Sequence, residues 1–429
     1  MTIVKDEHGY NEGKRFGTLL RKYRNIAGLT QQELADLSAV SIRAVRDLES
    51  GRVRRPRKET VQLLARALRI EEPHREALRI AAAPPVAGMG GGPFHPVAPV
   101  SGPVSGLVGR RAEIRALEEL VRSRDRRMVA VTGLGGVGKT RLALEVAARL
   151  NAKGVQVVWT PSCPHTGSRG RLVDELLRDP GADPRELGGV IGTGQTLLVI
   201  DDHDEASLPA DRIPSLLARY PGLCVLLTTR GMTCTAETSV LPLAPLALPR
   251  VDHRYDAAGL AEVDAARMIM TSIGLARPRL RLDETAIATI AALCRRLDGL
   301  PAALEAAGRL TLVYTPDELL GELSRDPFWT VLSAADGSSA FKAGEVVRQA
   351  IEALEPSARD LLRSVAGHDG RWSVEDCAAL AGTTPVEAAR GIRYLLLRGL
   401  IRRAEHANRS YFQLLSLVRS AIVEDARVV

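Results

Sequence analysis

The stretch VAVTGLGGVGKTRL, Val129 to Leu142, sets a short apolar run before a glycine-rich loop with the spacing G-x-x-x-x-G-K-T (Gly133, Gly138, Lys139, Thr140) and a helical pattern after it. Gly133, Gly135, Gly136 and Gly138 carry no Cβ, so the backbone can curl with its N–H groups turned inward, while the following helix aims the positive end of its dipole at the same place. Such a loop cradles phosphate. Val137 lies within it and Arg141 directly behind it; Lys139 is placed to reach β/γ-phosphates and Thr140 to ligate Mg²⁺. The expected ligand is a nucleoside triphosphate.

Working outward, Leu197-Leu198-Val199-Ile200-Asp201-Asp202 is a buried strand ending in two carboxylates. Carboxylates at the tip of a parallel strand face the ligand crevice, so Asp201 is expected to hold Mg²⁺ and Asp202, as the catalytic residue, to polarise attacking water. Leu223-Cys224-Val225-Leu226-Leu227-Thr228-Thr229-Arg230 delivers an arginine to the same edge. Apolar strands at Met128 to Thr132, Val155 to Trp159, Thr196 to Ile200 and Leu223 to Thr228 alternate with helical stretches, which predicts a parallel sheet with crossover helices. From about Ala257 the pattern is mainly helical.

At 429 residues the chain exceeds one ordinary core, and about three domains are expected from typical sizes. No stretch approaches the roughly 20 apolar residues of a membrane span, and the first residues are polar rather than signal-like, which predicts a cytoplasmic protein with no membrane partner. The five cysteines are scattered without a C-x-x-C pair, a pattern that fits neither a disulfide framework nor a zinc site. Of the net charge of +7, most sits at one end: residues 1 to 82 hold 17 Lys+Arg against 11 Asp+Glu. A basic module thus leads a nearly neutral body, separated from it by AAAPPVAGMGGGPFHPVAPVSGPVSG, where proline and glycine predict a flexible linker.

Within the basic module, Thr30-Gln31-Gln32-Glu33-Leu34-Ala35 opens a short helix with a capping box, and a second helix is predicted from Ser41 to Gly51. Leu34, Ala35, Val45 and Leu48 are spaced to pack the pair together and against Phe16, Leu19 and Leu20. The stretch from about residue 14 to 80 resembles the Cro/phage-repressor type of helix-turn-helix domain. That resemblance implies double-stranded DNA as partner, with Gln31 on a backbone phosphate and Ser41, Ile42, Arg43 and Arg46 on the groove-facing side of the recognition helix. Arg43 is the candidate base reader; Arg54, in the following basic run, would position the backbone without specifying sequence.

Leu107-Val108-Gly109-Arg110 upstream of the first strand, the P-loop, the strand-end acids, the Thr-Thr-Arg, and Leu297-Asp298-Gly299-Leu300-Pro301 downstream follow one another in an order that resembles the NB-ARC type of STAND-class signalling NTPase. The resemblance implies an ATP/ADP switch with slow hydrolysis, with Val108, Gly109 and Arg110 bordering adenine, Arg230 sensing the γ-phosphate and Pro301 packing on the base. It also implies a fold order: an all-α helix-turn-helix domain (1–82), linker (83–106), α/β P-loop domain (107–256), helical subdomain (257–340) and winged-helix subdomain (341–429). Where many members carry Met-His-Asp, whose histidine meets the β-phosphate of ADP, this chain has Leu414-Leu415-Ser416, with Arg419 nearby; the histidine contact is missing. STAND proteins generally follow the winged helix with sensor repeats, and this sequence ends at Val429; the expectation is either a signal that arrives through a partner protein or small ligand, or a sensor that has been lost. The sequence thus reads as a transcription regulator whose nucleotide state controls homo-oligomerisation and operator binding. Two other readings use the same motifs: a STAND oligomer whose N-terminal module recruits a protein, and a DNA-binding protein whose nucleotide is purely structural.

Overall fold

The computed structural model describes residues 16–68 and 107–428, apart from 18–19, 22, 25–28, 39, 51, 54–55, 57, 124–125, 161–190, 192–193, 204–211, 232–237, 327, 329–342, 369 and 407–408, and apart from the side chains of 58, 202–203, 405–406 and 425–428. The described residues fall into two compact units, 16–68 and 107–428. The expected linker 83–106, Leu19 and Arg54 lie outside the described residues.

The first unit is helical. Three of its helices are α1 (Gln31–Ser38), α2 (Ile42–Glu49) and α3 (Lys58–Ala67). Thr30 caps α1 through the expected reciprocal pair: the Glu33 N–H donates to the Thr30 hydroxyl (3.2 Å) and the Thr30 N–H to the Glu33 carboxylate (2.7 Å). Ser41 caps α2, its hydroxyl accepting from the Ala44 N–H. Phe16, Leu20, Leu34, Ala35, Val45, Leu48 and Leu64 form the core. Gly17 lies so close to α2 that a Cβ there would sit 2.4 Å from the Leu48 carbonyl oxygen, which is why the preceding helix can pack this tightly.

The second unit is built on a five-stranded sheet of order β2-β3-β4-β1-β5, with all pairs parallel: β1 (Met128–Thr132), β2 (Gln156–Thr160), β3 (Thr196–His203), β4 (Leu223–Thr229) and β5 (Thr238–Pro242). Strands buried on both faces read as continuous apolar runs, and alternate side chains go to different cores. Val129, Val131, Leu197, Val199 and Leu226 join the larger core, under α4 (Arg111–Ser123) and α5 (Lys139–Ala152). Ala130, Leu198, Ile200, Val225 and Leu227 face the smaller one, with Ile213 and Leu216 of α6 (Arg212–Arg219). β5 lies outside the four strands expected from sequence; its edge position leaves Ser239, Val240 and Leu241 only half-buried, so it lacks the apolar run that marks the inner strands.

Helices follow, as expected: α7 (Ala257–Ala261), α8 (Asp264–Ala276), α9 (Glu284–Arg296), α10 (Pro301–Leu310), α11 (Pro316–Arg325), α12 (Ala343–Glu352), α13 (Pro356–Ala366), α14 (Val374–Ala381) and α15 (Pro385–Arg398). Proline occupies the first turn of α10, α11, α13 and α15, where its missing N–H has no intrahelical partner to lose. Gly399, at φ 71°, ends α15, and β6 (Ile401–His406) pairs antiparallel with β7 (Arg409–Leu414) before α16 (Ser416–Val428). Trp372 extends this hairpin, exchanging two backbone hydrogen bonds with Phe412 (3.0 and 2.8 Å), while their rings pack 5.4 Å apart. The larger core runs continuously from the sheet through α8–α10 to Leu415 and to Val418 in α16.

Candidate nucleotide site and helix-turn-helix

The loop between β1 and α5 has the backbone its glycines allow. Gly133, Gly136 and Gly138 all have positive φ (142°, 79° and 100°), a region that costs any side-chain-bearing residue energy. A Cβ on Gly133 would meet the Leu243 carbonyl at 2.7 Å, whereas at Gly138 the space is open. Lys139 is buried, its ammonium donating to the carbonyls of Gly133 (2.8 Å) and Leu134 (3.1 Å). Val137 is buried beneath the loop and Arg141 is half-buried on α5.

Three elements converge beside the loop. The Thr140 hydroxyl, on the first turn of α5, donates to one Asp201 carboxylate oxygen over 2.8 Å, and the Thr228 hydroxyl of β4 donates to the same oxygen over 2.5 Å. Hydroxyl and carboxylate oxygens are the hard donors Mg²⁺ prefers, completed in such sites by water and phosphate. Among the described residues no group of three or more His, Cys, Asp or Glu is placed to hold a metal ion. Asp202 follows Asp201 in β3, with its side chain outside the described residues. Arg230 is exposed just past the end of β4.

The Val108-Gly109-Arg110 segment is held in place by backbone and side-chain contacts of its own. Gly109 and Arg110 both have left-handed backbones (φ 68° and 65°). The Arg110 guanidinium, its side chain 7% exposed, donates to the carbonyls of Ala244 (2.6 Å) and Val137 (3.4 Å) and pairs with Glu113 (3.0 Å). It therefore ties the entry segment to the phosphate loop and to the chain beyond β5. A cavity of about 590 Å³ opens beside this segment, lined by Val108, Gly109 and Arg110 together with Glu262, Asp264 and Arg267. Pro301 begins α10, whose Ala302 N–H donates to the Gly136 carbonyl over 3.1 Å, so the helical region docks directly on the loop.

Two further residues make contacts across long stretches of sequence. Arg419 donates to the carbonyls of Ala366 and His368 (both 2.8 Å), at the end of α13. Asp298, which the sequence presents only as part of a helix break, is 3% exposed and takes a left-handed backbone (φ 54°). Its two carboxylate oxygens accept the N–H groups of Ser416 (2.9 Å) and Leu417 (2.8 Å) at the start of α16. The available signal was the placement of an aspartate, a residue that tolerates the left-handed region, directly before a glycine.

In the helix-turn-helix unit, Ser41, Arg43 and Arg46 are exposed along one side of α2. Ile42 is half-buried, packed against the core at the start of the apolar stripe that continues at Val45 and Leu48. Gln31 is also engaged internally. Its amide N–H donates to Glu49 (2.7 Å) and its oxygen accepts from Arg46 (3.4 Å). Glu49 in turn receives both arms of Arg24 (2.6 and 3.1 Å), a pairing that holds the Arg24 guanidinium above its ordinary pKa.

Comparison with known proteins agrees with this division. Residues 15–78 match the family described as "Helix-turn-helix domain". The chain is 32% identical over 241 residues to the uncharacterized protein Rv0894 of Mycobacterium tuberculosis, covering 54% of this chain and 57% of that one. It is 24% identical over 312 residues to the "Putative HTH-type transcriptional regulator Rv0890c" of the same species, covering 70% of this chain and 33% of that one. The match thus spans little more than half the length of the first relative and a third of the second. Among solved structures, a STAND protein with a tetratricopeptide repeat sensor from Pyrococcus horikoshii matches at 17% identity and TM-score 0.27, covering 75% of this chain and 43% of that one. AMPPCP-bound DnaA from Aquifex aeolicus matches at 14% identity and TM-score 0.34, covering 67% and 88%. No helix among the described residues is long and apolar enough to cross a membrane. The chain accordingly carries a helix-turn-helix domain, residues 15–78, ahead of an α/β unit with a P-loop and a helical C-terminal region.

Proposed function

We propose that this chain is a DNA-binding transcription regulator of the STAND class, in which ATP or ADP with Mg²⁺ at the P-loop governs self-association and thereby operator affinity. The observation that carries this reading is the convergence of Thr140, Asp201 and Thr228 on one oxygen cluster beside the loop, in a chain whose other unit is a helix-turn-helix domain. Bound ATP would supply the labile γ-phosphate, and Mg²⁺ would neutralise charge on its phosphates. The loop amides and Lys139 bind the phosphates, Asp201 and Thr140 hold the metal, Arg230 lies past the same sheet edge, and Asp202 orients water. Arg43 reads the major groove, with Arg46 beside it on the groove-facing side of α2 and Arg54 on the DNA backbone.

A single helix-turn-helix reads a half-site, so firm operator binding needs two copies about one DNA turn apart. Association of the nucleotide-binding units raises the effective concentration of the second copy without any new DNA contact. The test is to sequence the genomic fragments retained by the purified chain with ATP and Mg²⁺ and with ADP. Enrichment of a shared motif, stronger with ATP, supports the reading; no enrichment in either state removes DNA as the partner, and equal enrichment makes the nucleotide a structural ligand.

A further inference from the structure

The turn Leu297 to Ala302 touches three parts of the second unit at once. The Ala302 N–H donates to the Gly136 carbonyl of the phosphate loop, the Gly299 carbonyl accepts from the Leu246 N–H beyond β5 (3.0 Å), and the Asp298 carboxylate grips the first turn of α16. Arg402 of β6 donates to the Asp298 carbonyl. The lobe that carries α16 also rests on the loop itself. A Cβ on Gly135 would lie 2.6 Å from the Val346 side chain of α12, and a Cβ on Gly399 would lie 2.6 Å from the Leu134 nitrogen.

We propose that Asp298 is a latch that seats the α12–α16 lobe on the phosphate loop through the protein's own carboxylate, so that closure of the lobe does not depend on a lobe side chain contacting the nucleotide. The proposal rests on the nucleotide-binding reading above and deepens it. A carboxylate accepting two N–H groups at a helix start meets orphan donors and the positive end of the helix dipole together. Leu415 stands one residue before these donors, fully buried in the apolar core, and offers no polar group to a phosphate. Burial pushes the Asp298 carboxyl above its ordinary range, against the pull of the Leu417 and Ser416 donors and of Arg402. Burial thus works against the charge, and the two N–H donors of α16 offset part of that cost only while the carboxylate is seated on them.

Two substitutions act from opposite sides. Asp298→Asn keeps a residue that tolerates the left-handed backbone but turns one acceptor into a donor facing an N–H. Ser416→Pro removes a donor at the first helical position, where proline leaves the helix intact. In hydrogen exchange on the full chain without nucleotide, both variants should speed exchange in α12 and in residues 411–424 by about tenfold or more, the scale of a charge-assisted hydrogen bond lost, while β1 and β4 stay protected. Release of fluorescent mant-ADP in Mg²⁺ should accelerate by a similar factor. Unchanged exchange in the lobe, or equal loss of protection in β1 and α16, overturns the latch. Release at the wild-type rate despite an opened lobe overturns its coupling to the loop. A wild type that binds no mant-ADP refutes the nucleotide reading instead, and the exchange measurement still judges the latch.

Discussion

The Thr140 hydroxyl donates to the same Asp201 oxygen, 2.8 Å away, that also accepts from Thr228. Three elements that are distant in sequence therefore share one acceptor, and a magnesium ion entering there would take over that oxygen while both hydroxyls turn. Asp201→Ala should leave phosphate-loop binding in place but abolish its metal dependence. The ratio of ADP affinity with Mg²⁺ to that in EDTA should fall by about tenfold or more, toward one, as a hard-cation ligand is lost. Calorimetric titration in the two buffers reads this directly, and an unchanged ratio places the metal elsewhere.

Lys139 presents a cation already turned inward, on the carbonyls of Gly133 and Leu134. Lys139→Met keeps the apolar stem and removes only the charge. Nucleotide affinity should drop by about 10²-fold, the order of one or two charge-assisted contacts in a desolvated loop, with little change in far-UV circular dichroism. Equal affinity in wild type and variant would end the assignment of this loop to phosphate.

What the sequence made legible was local. The β1 run, the glycine spacing and the helix after it are contiguous, and each inner strand is buried on both faces, so each could be read without knowing its neighbours. β5 could not: Thr238–Pro242 is an edge strand with no apolar run, defined by its pairing with β1. Arg110 and Asp298 share this limit. Their partners, Ala244 and Ser416, lie 134 and 118 residues away, and nothing in the local pattern points to them. Gln31 shows the same effect at shorter range, since the glutamate it meets closes the next helix.

Arg110 should matter for stability as much as for binding. Its fork spans the Ala244 and Val137 carbonyls from a left-handed backbone, a geometry lysine cannot copy. Arg110→Gly relieves the backbone and deletes the fork; Arg110→Lys keeps the charge and strains nothing new. Both should lower the stability of the second unit by about 2 kcal/mol, the order of a buried charged hydrogen bond left unmade. Calorimetric melting that leaves the second unit unshifted in both variants would show the fork to be idle.

Glu387 gives a pH signature. Its carboxylate accepts from the hydroxyls of Thr383 (2.7 Å) and Thr384 (2.8 Å) and from the Thr384 N–H (3.1 Å), which together pull it down to about 2. A depressed acid stabilises the folded α15 start fully above the ordinary glutamate range, and that contribution drains away as pH falls toward 2. Thr384→Ala should raise the Glu387 pKa, as followed by carboxyl NMR titration; a value that stays put would show that the capping geometry is not maintained in solution.

In the helix-turn-helix unit, contact and fold can be separated. Arg43 is exposed on α2, so Arg43→Ala should cost roughly 1–3 kcal/mol at the preferred DNA site and little elsewhere, with the melting of the unit unchanged. Glu49 is the opposite case. Its side chain is 4% exposed and collects Arg24 and Gln31, so Glu49→Gln strands a nearly buried guanidinium. Removing one partner of a buried pair costs on the order of 3 kcal/mol, a large share of what so small a unit can hold. DNA binding should then weaken for every sequence alike, in step with the fraction unfolded. Anisotropy titrations against specific and scrambled duplexes, beside thermal melts, distinguish the two. If Glu49→Gln melts like wild type, the Arg24–Glu49–Gln31 network is not what holds α2 in place, and if Arg43→Ala weakens all duplexes equally, Arg43 grips the phosphate backbone and base reading passes to another residue of α2.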